Sequence, residues 1–243
     1  MKKVYIETLG CQMNKSDAER MFGMLEYMGY EQTLEPKKAD MLIINTCSIR
    51  QLSEDKAYSQ IGVWGKWKKT RPDLKIVFSG CVAQQVQQNL FKRAPYVDLV
   101  IGTQRLYELP ELVKRIEQGE RVCSCEEKPY DEGEEIQISR TKSINAWIPI
   151  MEGCNNFCTY CIVPYTRGRE RSRGFENIMN EVKKALSEGF KEITLLGQNV
   201  DSYKGIDKDG NEINLSGLLK AINDLEGKFR IRFVTSYPTD ITE

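Results

Sequence analysis

Three cysteines lie within eight positions of the stretch MEGCNNFCTYC, at Cys154, Cys158 and Cys161. Thiolates at this spacing sit on one short loop and can face a single metal centre. A structural zinc ion needs four protein ligands, and the chain contains no histidine to serve as one. A cysteine from elsewhere could complete a zinc site, and three inert cysteines buried in a turn are a further alternative.

A [4Fe-4S] cluster explains these three residues, here called the loop cysteines, better than zinc does. Three thiolates bind three of the four irons, and the fourth iron stays open to a substrate or cofactor. The absence of histidine also excludes Ser-His and Cys-His nucleophile pairs and the usual general base near pH 7. The sequence therefore predicts chemistry based on thiolates and a bound cofactor.

A second set, here called the strand-end cysteines, consists of Cys11, Cys47 and Cys81. Each follows an apolar run that predicts a β-strand, in ETLGC, IINTC and VFSGC. The carboxyl ends of parallel strands share one sheet edge, where ligands bind, so we expect these thiols to hold a second cluster. The alternative is that they are three buried structural cysteines. Cys123 and Cys125 fit neither set, and we expect them to be exposed, incidental thiols.

The elements that must position these residues alternate between strands and helices. Residues 4–10, 40–46, 75–80 and 97–103 predict strands, separated by amphipathic helices and followed by one at 107–118. This order predicts an α/β fold with a parallel, flavodoxin/Rossmann-like sheet over residues 1–119. Seven acidic residues between 120 and 135 indicate an acidic linker, which we extend over 120–142.

The second half, residues 143–243, predicts the order β-α-β-α-β. Strands are expected at 145–153, 192–200 and 229–236, with a helix near 215–226 and another whose buried face carries Ile178 and Val182. Three strands and two helices make half of a barrel. We expect the chain to be truncated, because its last strand would otherwise be an apolar edge.

The loop cysteines, their place after a first β/α strand and the aromatic Tyr160 resemble the radical S-adenosylmethionine superfamily. That resemblance implies a partial, TIM-like (β/α)6 barrel in which the open iron binds S-adenosylmethionine. One electron then cleaves the cofactor to a 5′-deoxyadenosyl radical. It also implies that Tyr160 lies near the adenine and that Gln198 and Asn199 contact the methionine moiety.

The stretches TLGCQMN, INTCSIR and SGCVAQ, followed by CTYCIVPYTRGRERSR and TLLGQNVDSY, resemble the methylthiotransferase family over nearly the whole chain. The resemblance implies two [4Fe-4S] clusters, with the strand-end cysteines holding the one that carries sulfur. The surroundings are most similar to the bacterial tRNA branch, which adds a methylthio group to carbon 2 of N6-isopentenyladenosine at position 37. The alternatives are the threonylcarbamoyladenosine or ribosomal-protein branches, or a cluster-binding fragment without full activity.

The family resemblance also implies partners and missing parts. A tRNA anticodon stem-loop would be the substrate, and a flavodoxin or ferredoxin would be the low-potential electron donor. A sulfur source is also needed. Full-length members complete the barrel and end in an RNA-binding TRAM domain, which we expect to be absent here.

A basic loop beside the loop cysteines fits an RNA substrate, because guanidinium groups pair with phosphates and stack on unpaired bases. Its arginines are Arg167, Arg169, Arg171 and Arg173. A second basic group, KWKKTR at 66–71, is explained at least as well as the solvated end of a helix.

Bulk composition adds few constraints. The 35 basic and 35 acidic residues cancel, so net charge predicts no partner. The amino terminus has no apolar export signal, and no run of about 18 apolar residues suggests a membrane span. We expect a cytoplasmic monomer, in a compartment where thiols stay reduced.

Overall fold

A computed structural model describes residues 1–127, 138–234, 237 and 240 of the chain. The chain divides into two compact units. The first comprises Met1–Ser139 together with Tyr165–Arg167, and the second comprises Arg140–Pro164 and Gly168–Glu243.

The first unit is built on a six-stranded sheet in which every neighbouring pair of strands is parallel. Its strands are β1 (Lys2–Leu9), β2 (Tyr30–Gln32), β3 (Met41–Thr46), β4 (Lys75–Gly80), β5 (Leu99–Ile101) and β6 (Val122–Ser124). The order β2-β1-β3-β4-β5-β6 contains the flavodoxin-like order 2-1-3-4-5. The four predicted strands and the predicted α/β class are confirmed.

Helices cover both faces of this sheet, as a parallel sheet requires. They are α1 (Gln12–Tyr27), α2 (Gln51–Lys68), α3 (Cys81–Val86), α4 (Leu90–Arg93) and α5 (Leu109–Glu117), with short 3-10 turns at Pro36–Lys38, Gln87–Asn89 and Thr103–Glu108. On one face α1 and α5 bury Met21, Leu25 and Ile116 against the strands. On the other face α2 buries Ile61 and Trp64.

Two strands of this unit were not predicted. β2 is three residues long, and two of them are exposed, so it shows no apolar alternation. β6 lies in the stretch that we expected to begin an acidic linker, and Val122 pairs with Leu99 of β5. The linker prediction is therefore wrong for residues 122–124, while residues 128–137 lie outside the described part of the chain.

The second unit contains a three-stranded parallel sheet in the order β13-β10-β7. Its strands are β7 (Asn145–Pro149), β10 (Glu192–Leu196) and β13 (Arg230–Phe233), and the crossovers contain α7 (Phe175–Ser187) and α8 (Leu215–Asn223). The predicted order β-α-β-α-β is confirmed, and Ile178 and Val182 are fully buried as expected. Residues 235–236 of the predicted last strand lie outside the described residues.

Short elements of the second unit were not predicted. β8 (Met151–Glu152) and β9 (Arg171–Ser172) pair antiparallel and close the cysteine loop. Between them in sequence lies α6 (Val163–Thr166), whose last two residues belong to the first unit. β11 (Lys204–Ile206) and β12 (Glu212–Asn214) form a hairpin in the stretch that we expected to be turn-rich. None of the helices in the described ranges is long and apolar enough to cross a bilayer.

Candidate functional site

The strand-end cysteines stand at the carboxyl ends of three adjacent strands of the first unit. Cys11 caps the start of α1 after β1, Cys47 follows β3, and Cys81 is the first residue of α3 after β4. The order β1-β3-β4 makes these ends neighbours. The order of the strands reverses between β1 and β3, so that successive crossovers lead to opposite sides of this point. Open α/β sheets bind ligands at such a topological switch point.

The thiols of this set influence one another. A hydrogen bond from the Cys47 thiol lowers the pKa of Cys11 to about 6, and the charge of Arg167 contributes to the same shift. The same hydrogen bond and burial raise the pKa of Cys47, and Cys81 also raises it through its charge. Cys47 thus interacts with both of the other sulfurs, and three neighbouring thiols of this kind form a donor set suited to a thiolate-bound iron–sulfur cluster.

Buried amide and hydroxyl side chains tie the three strand ends together, in a network that was not predicted. Asn14 Nδ2 donates to Asn45 Oδ1 at 3.0 Å and to the carbonyl of Thr46 at 3.1 Å. Asn45 Nδ2 donates back to the carbonyl of Asn14 at 2.8 Å, and Thr46 Oγ1 donates to the carbonyl of Ser79 at 2.6 Å. A signal was present in the sequence, since both asparagines lie within three residues of a strand-end cysteine.

Gly80 brings the backbone of β4 into close contact with β3 just before Cys81. Its φ is +93°, and an added Cβ would lie 2.3 Å from the carbonyl oxygen of Thr46. Only glycine adopts this conformation in this space without strain. Gly80 therefore fixes the approach of the third strand-end cysteine to the other two.

Arg167 lies in the first unit and forms a buried ion pair. Its Nη2 is 2.7 Å from Asp17 Oδ2, and the two side chains are 4% and 8% exposed. We expected Arg167 to contact RNA, but in this structure its guanidinium is enclosed with Asp17 of α1. Its placement instead brings positive charge to Cys11, where it lowers the pKa of the thiol.

The loop cysteines follow β8 in the second unit and are all half-buried. The Cys154 N–H donates to the carbonyl of Gly168 at 3.2 Å, and the Cys161 N–H donates to the carbonyl of Cys158 at 2.9 Å. Phe157 has a φ of +39°, which turns the chain between the first two cysteines. These contacts fold the C-x3-C-x2-C segment into a compact loop.

Gly153 and Gln198 connect this loop to the end of β10. The Gly153 N–H donates to Gln198 Oε1 at 2.7 Å. Gly153 has a φ of +77°, and an added Cβ would lie 2.1 Å from the carbonyl oxygen of Arg169. Gln198, which we expected to contact a cofactor, thus contacts the backbone immediately before Cys154.

Asn199 is 1% exposed and has a buried oxygen with no partner among the described residues. Its Nδ2 donates to Asp240 Oδ2 at 2.5 Å, which leaves Oδ1 unsatisfied. A buried acceptor of this kind is costly unless a ligand or water supplies a donor, so it fits a site that binds a polar cofactor. Tyr160, the other residue expected at the cofactor, is 90% exposed.

The remaining arginines of the basic loop differ in their surroundings. Arg169 is exposed, with its guanidinium carbon 4.4 Å from the centre of the Phe157 ring. Arg171 lies 3.6 Å from the Glu152 carboxylate. Arg173 donates to the Pro149 carbonyl at 2.6 Å and to Glu181 at 2.8 Å. Arg173 thus has a structural role, and Arg169 has the exposure that an RNA contact needs.

The second basic group divides in a similar way. Lys68 forms a partly buried ion pair with Asp98, and Trp67 is half-buried against the core of the first unit. Lys66 and Lys69 are exposed. This arrangement matches the interpretation of the group as the solvated end of α2.

Cys123 and Cys125 are not the exposed, incidental thiols that we expected. Cys123 lies in β6 and is half-buried, and Cys125, directly after the strand, is 3% exposed. Their Sγ atoms are 3.8 Å apart. The prediction failed because it assigned these residues to a linker, whereas β6 places them against the core of the sheet.

In the described part of the chain, no three Cys, Asp, Glu or His side chains are grouped closely enough to ligate one metal ion. The thiolates of a [4Fe-4S] cluster each bind a different iron, so they stand farther apart than the ligands of a single ion. Each three-cysteine set supplies three thiol donors, and in the strand-end set Cys47 is close enough to the other two thiols for their charges to shift its pKa.

Two family profiles match the chain, one in each half. Residues 3–102 match Uncharacterized protein family UPF0004, and residues 148–241 match the Radical SAM superfamily. The second match implies S-adenosylmethionine and a [4Fe-4S] cluster as the cofactors of the superfamily.

Curated relatives match the chain from end to end. Two of them are named tRNA-2-methylthio-N(6)-dimethylallyladenosine synthase. The protein from Carboxydothermus hydrogenoformans is 46% identical, and the match covers 100% of this chain and 55% of the relative. The protein from Clostridium botulinum is 47% identical, and the match covers 98% of this chain and 53% of the relative. A protein from Clostridium beijerinckii with the same name is 45% identical, with 99% and 53% covered. The chain thus spans about half the length of the curated relatives it matches.

A solved structure shares the fold. It is the radical S-adenosylmethionine methyltransferase TsrM from Kitasatospora setae, with cobalamin and a [4Fe-4S] cluster bound. The TM-score is 0.54 at 12% identity, over 83% of this chain and 48% of that protein. At this identity the likeness concerns the fold alone.

Proposed function

The chain belongs to the radical S-adenosylmethionine methylthiotransferase family, and we propose that it modifies tRNA. The proposed reaction adds a methylthio group to carbon 2 of N6-isopentenyladenosine at position 37. The observation that carries the proposal is the pair of three-cysteine sets, one at the carboxyl ends of three parallel strands of the first unit and one on the loop after β8 of the second unit. The names of the curated relatives support the tRNA substrate.

In the second unit, the loop cysteines would hold the cluster that binds S-adenosylmethionine. When bound, this pair of cofactors supplies one-electron reductive cleavage and hence radical chemistry at an unactivated carbon. Gly153 and Gln198 hold the start of the loop against the end of β10. Asn199 Oδ1 offers a buried acceptor to the amino group of the methionine moiety, and exposed Tyr160 offers a ring to the adenine.

In the first unit, the strand-end cysteines would hold a second [4Fe-4S] cluster whose open iron carries the sulfur to be transferred. The residues of the chain supply position and charge. The Asn14–Asn45 pair fixes the strand ends, and Arg167 places a positive charge beside Cys11, which offsets the negative charge of thiolates gathered at one site.

The substrate would be the anticodon stem-loop of a tRNA, where position 37 is an unpaired base. Arg169 is exposed beside Phe157, and an arginine in such a position can pair with a phosphate or stack on a base. Reaction also requires a low-potential electron donor of the flavodoxin or ferredoxin type and a source of sulfur. We propose a cytoplasmic location, where thiols stay reduced.

Counting iron after anaerobic reconstitution with iron and sulfide tests the two-cluster proposal. We expect about eight irons per chain, falling to about four when either three-cysteine set is replaced by alanine, because each set serves an independent [4Fe-4S] site. Replacing Cys123 and Cys125 with serine is the matched control and should leave about eight. Formation of 5′-deoxyadenosine should disappear only in the loop-cysteine variant.

Zinc in place of iron, or no more than about four irons per chain in the unaltered protein, would contradict the proposal. The substrate is tested separately, by nucleoside analysis of tRNA after reaction with S-adenosylmethionine and a reductant. Methylthio product on isopentenylated tRNA and none on threonylcarbamoyladenosine tRNA is the expected result. Product on threonylcarbamoyladenosine tRNA and none on isopentenylated tRNA would assign the chain to the threonylcarbamoyladenosine branch of the family.

A further inference from the structure

Two of the eight cysteines, Cys123 and Cys125, belong to neither cluster set, yet they face each other. Their Sγ atoms are 3.8 Å apart, and their exposures differ. Cys123 is half-buried in β6, which is the outermost strand of the sheet among the described residues. Cys125 is 3% exposed. The pair therefore consists of an outer, reachable thiol and an inner, enclosed one.

Helix α3 holds the inner thiol in place. Cys125 Sγ lies 3.6 Å from the carbonyl oxygen of Ala83, and the Cys125 carbonyl accepts a hydrogen bond from Gln84 Nε2 at 2.7 Å. Both contacts come from α3, whose first residue is Cys81. The inner thiol is thus anchored to the helix that also begins with a strand-end cysteine.

The electrostatics of the pair give the two thiols different reactivities. The hydrogen bond between them lowers the pKa of Cys123 and raises that of Cys125. Burial and the charge of Glu126 raise the pKa of Cys125 further. A thiolate is the nucleophilic form of cysteine, so Cys123 is the better attacking group and Cys125 retains its proton.

The position of the pair on the sheet is also informative. β6 lies two strands from β4 in an all-parallel sheet, so the carboxyl ends of these strands are about 10 Å apart. Cys125 follows β6 and Cys81 follows β4, which places both at the same edge. Sulfide displaced from Cys123, whose Sγ lies 3.8 Å from that of Cys125, would therefore leave near the sheet edge that carries Cys81.

We propose that Cys123 and Cys125 form a sulfur-accepting dithiol whose substrate is a sulfane-sulfur donor, a persulfide or polysulfide. The inference rests on the proposed function, because each methylthio group consumes one sulfur atom that the chain must obtain. Cys123 is the acceptor and Cys125 is the resolving thiol. The sulfide that they release is directed to the auxiliary site.

The chemistry balances in two steps. The Cys123 thiolate attacks the outer sulfur of the donor R–S–SH, the donor S–S bond breaks, and R–SH leaves with one proton. Cys125 then attacks Cys123 Sγ, the new persulfide bond breaks, and hydrogen sulfide leaves with the Cys125 proton. The sulfane sulfur gains two electrons and the two thiols lose them as a disulfide forms, so the Sγ–Sγ distance falls to about 2.05 Å. A dithiol reductant of the thioredoxin class resets the pair.

The test uses glutathione persulfide labelled with 34S in its outer sulfur, applied anaerobically to the full chain reconstituted with iron and sulfide. Wild type should release about one labelled sulfide per chain and gain a Cys123–Cys125 disulfide in peptide mass maps. Cys125→Ser should retain the labelled sulfur on Cys123 and release little sulfide, because the resolving thiol is gone. Serine suits this site, since its hydroxyl can donate to the Cys123 sulfur as the thiol does.

Cys123→Ser should slow the uptake of label at this pair by at least about tenfold, because the remaining thiol is enclosed. Label on Cys125 in this variant at the rate seen for Cys123, or no label on Cys123 in Cys125→Ser, would overturn the proposal. Both readouts come from peptide masses and free sulfide and need no tRNA. A chain that transfers sulfur in this test yet makes no methylthio product would refute the proposed function alone.

Discussion

Asn14 and Asn45 hold each other by reciprocal hydrogen bonds at the sheet edge where the strand-end cysteines meet. Asn14 Nδ2 donates to the side chain of Asn45 at 3.0 Å, and Asn45 Nδ2 donates to the main-chain carbonyl of Asn14 at 2.8 Å. Both residues are fully buried. The pair joins the helix that Cys11 caps to the strand that precedes Cys47, so the placement of two thiols depends on two amides.

Replacing Asn14 with alanine should therefore affect both stability and cluster loading. The change leaves Asn45 Oδ1 without its donor, which costs about 1–3 kcal/mol of unfolding free energy. We expect a lower urea midpoint and a loss of iron confined to the first site, so that 5′-deoxyadenosine formation persists. Gln12→Ala, at an exposed position of the same helix, is the control and should change neither quantity. An Asn14→Ala protein with full iron would show that the amide pair does not position the thiols.

Gly80→Ala should destabilise the first unit more than the replacement of a positive-φ glycine in open space does. Gly119 has the same φ of +93° with nothing within 4 Å of an added Cβ, whereas at Gly80 the Cβ would lie 2.3 Å from the Thr46 oxygen. Gly119→Ala reports the cost of a positive φ without a clash, about 1–2 kcal/mol, and Gly80→Ala adds about 1–3 kcal/mol of overpacking together with the strain of its ψ of −159°. Urea unfolding of both variants measures the difference. Equal costs would show that β3 and β4 can separate without penalty.

Arg169 and Arg173 should have different roles although they lie four residues apart. Arg173→Ala removes one partner of buried Glu181, which keeps Arg140 at 2.6 Å, so it should cost about 1–3 kcal/mol of unfolding free energy. Arg169→Ala removes only an exposed contact with the Phe157 ring, so it should cost at most about 1 kcal/mol of stability while it weakens tRNA binding. The slope of log Kd against log salt should fall by about 0.7–1 if one phosphate contact is lost.

Fluorescence anisotropy with a labelled anticodon stem-loop at several salt concentrations measures this slope. Arg169→Lys keeps the charge and should retain the slope, while losing the stacking that a guanidinium provides. An unchanged slope in Arg169→Ala would remove this residue from the RNA surface.

Strands β3, β4 and β5 were predictable because each is a run rich in β-branched and apolar residues that is buried on both faces, as in Met41–Thr46. The placement of the strand-end cysteines followed from the same pattern, since parallel strands bring their carboxyl ends to one edge. β2 and β6 carry no such signal. Each has three residues, and their identity as strands comes from the neighbour with which they pair.

The arginines of the basic loop show why local sequence could not settle their roles. The partner of Arg167 is Asp17, 150 residues away, and the partner of Arg173 is Glu181, which lies in the following helix. A cluster of arginines indicates a charged surface until its acidic partners are placed. The tertiary structure decides that Arg167 is buried and Arg169 is exposed, and the local sequence RGRERSR does not predict this difference.

The rate at which iodoacetamide alkylates Cys123 should depend on pH, and replacing Cys125 should change that dependence. The hydrogen bond between the thiols lowers the pKa of Cys123, so its thiolate forms at lower pH than in an isolated cysteine. Cys125→Ala removes that bond, so the pKa of Cys123 should rise and the profile of iodoacetamide rate against pH should move to higher pH. At neutral pH the variant should therefore react more slowly, because the thiolate is the reactive form.

Cys125→Ser is the informative control for this measurement, because its hydroxyl can still donate to the Cys123 thiolate. Its profile should lie between those of wild type and Cys125→Ala. Rates are read by mass spectrometry of the peptide that contains Cys123, which separates this site from the cysteines of the two cluster sets. Superimposable profiles for all three proteins would show that Cys125 does not activate Cys123, and the acceptor and resolving roles would then lose their electrostatic support.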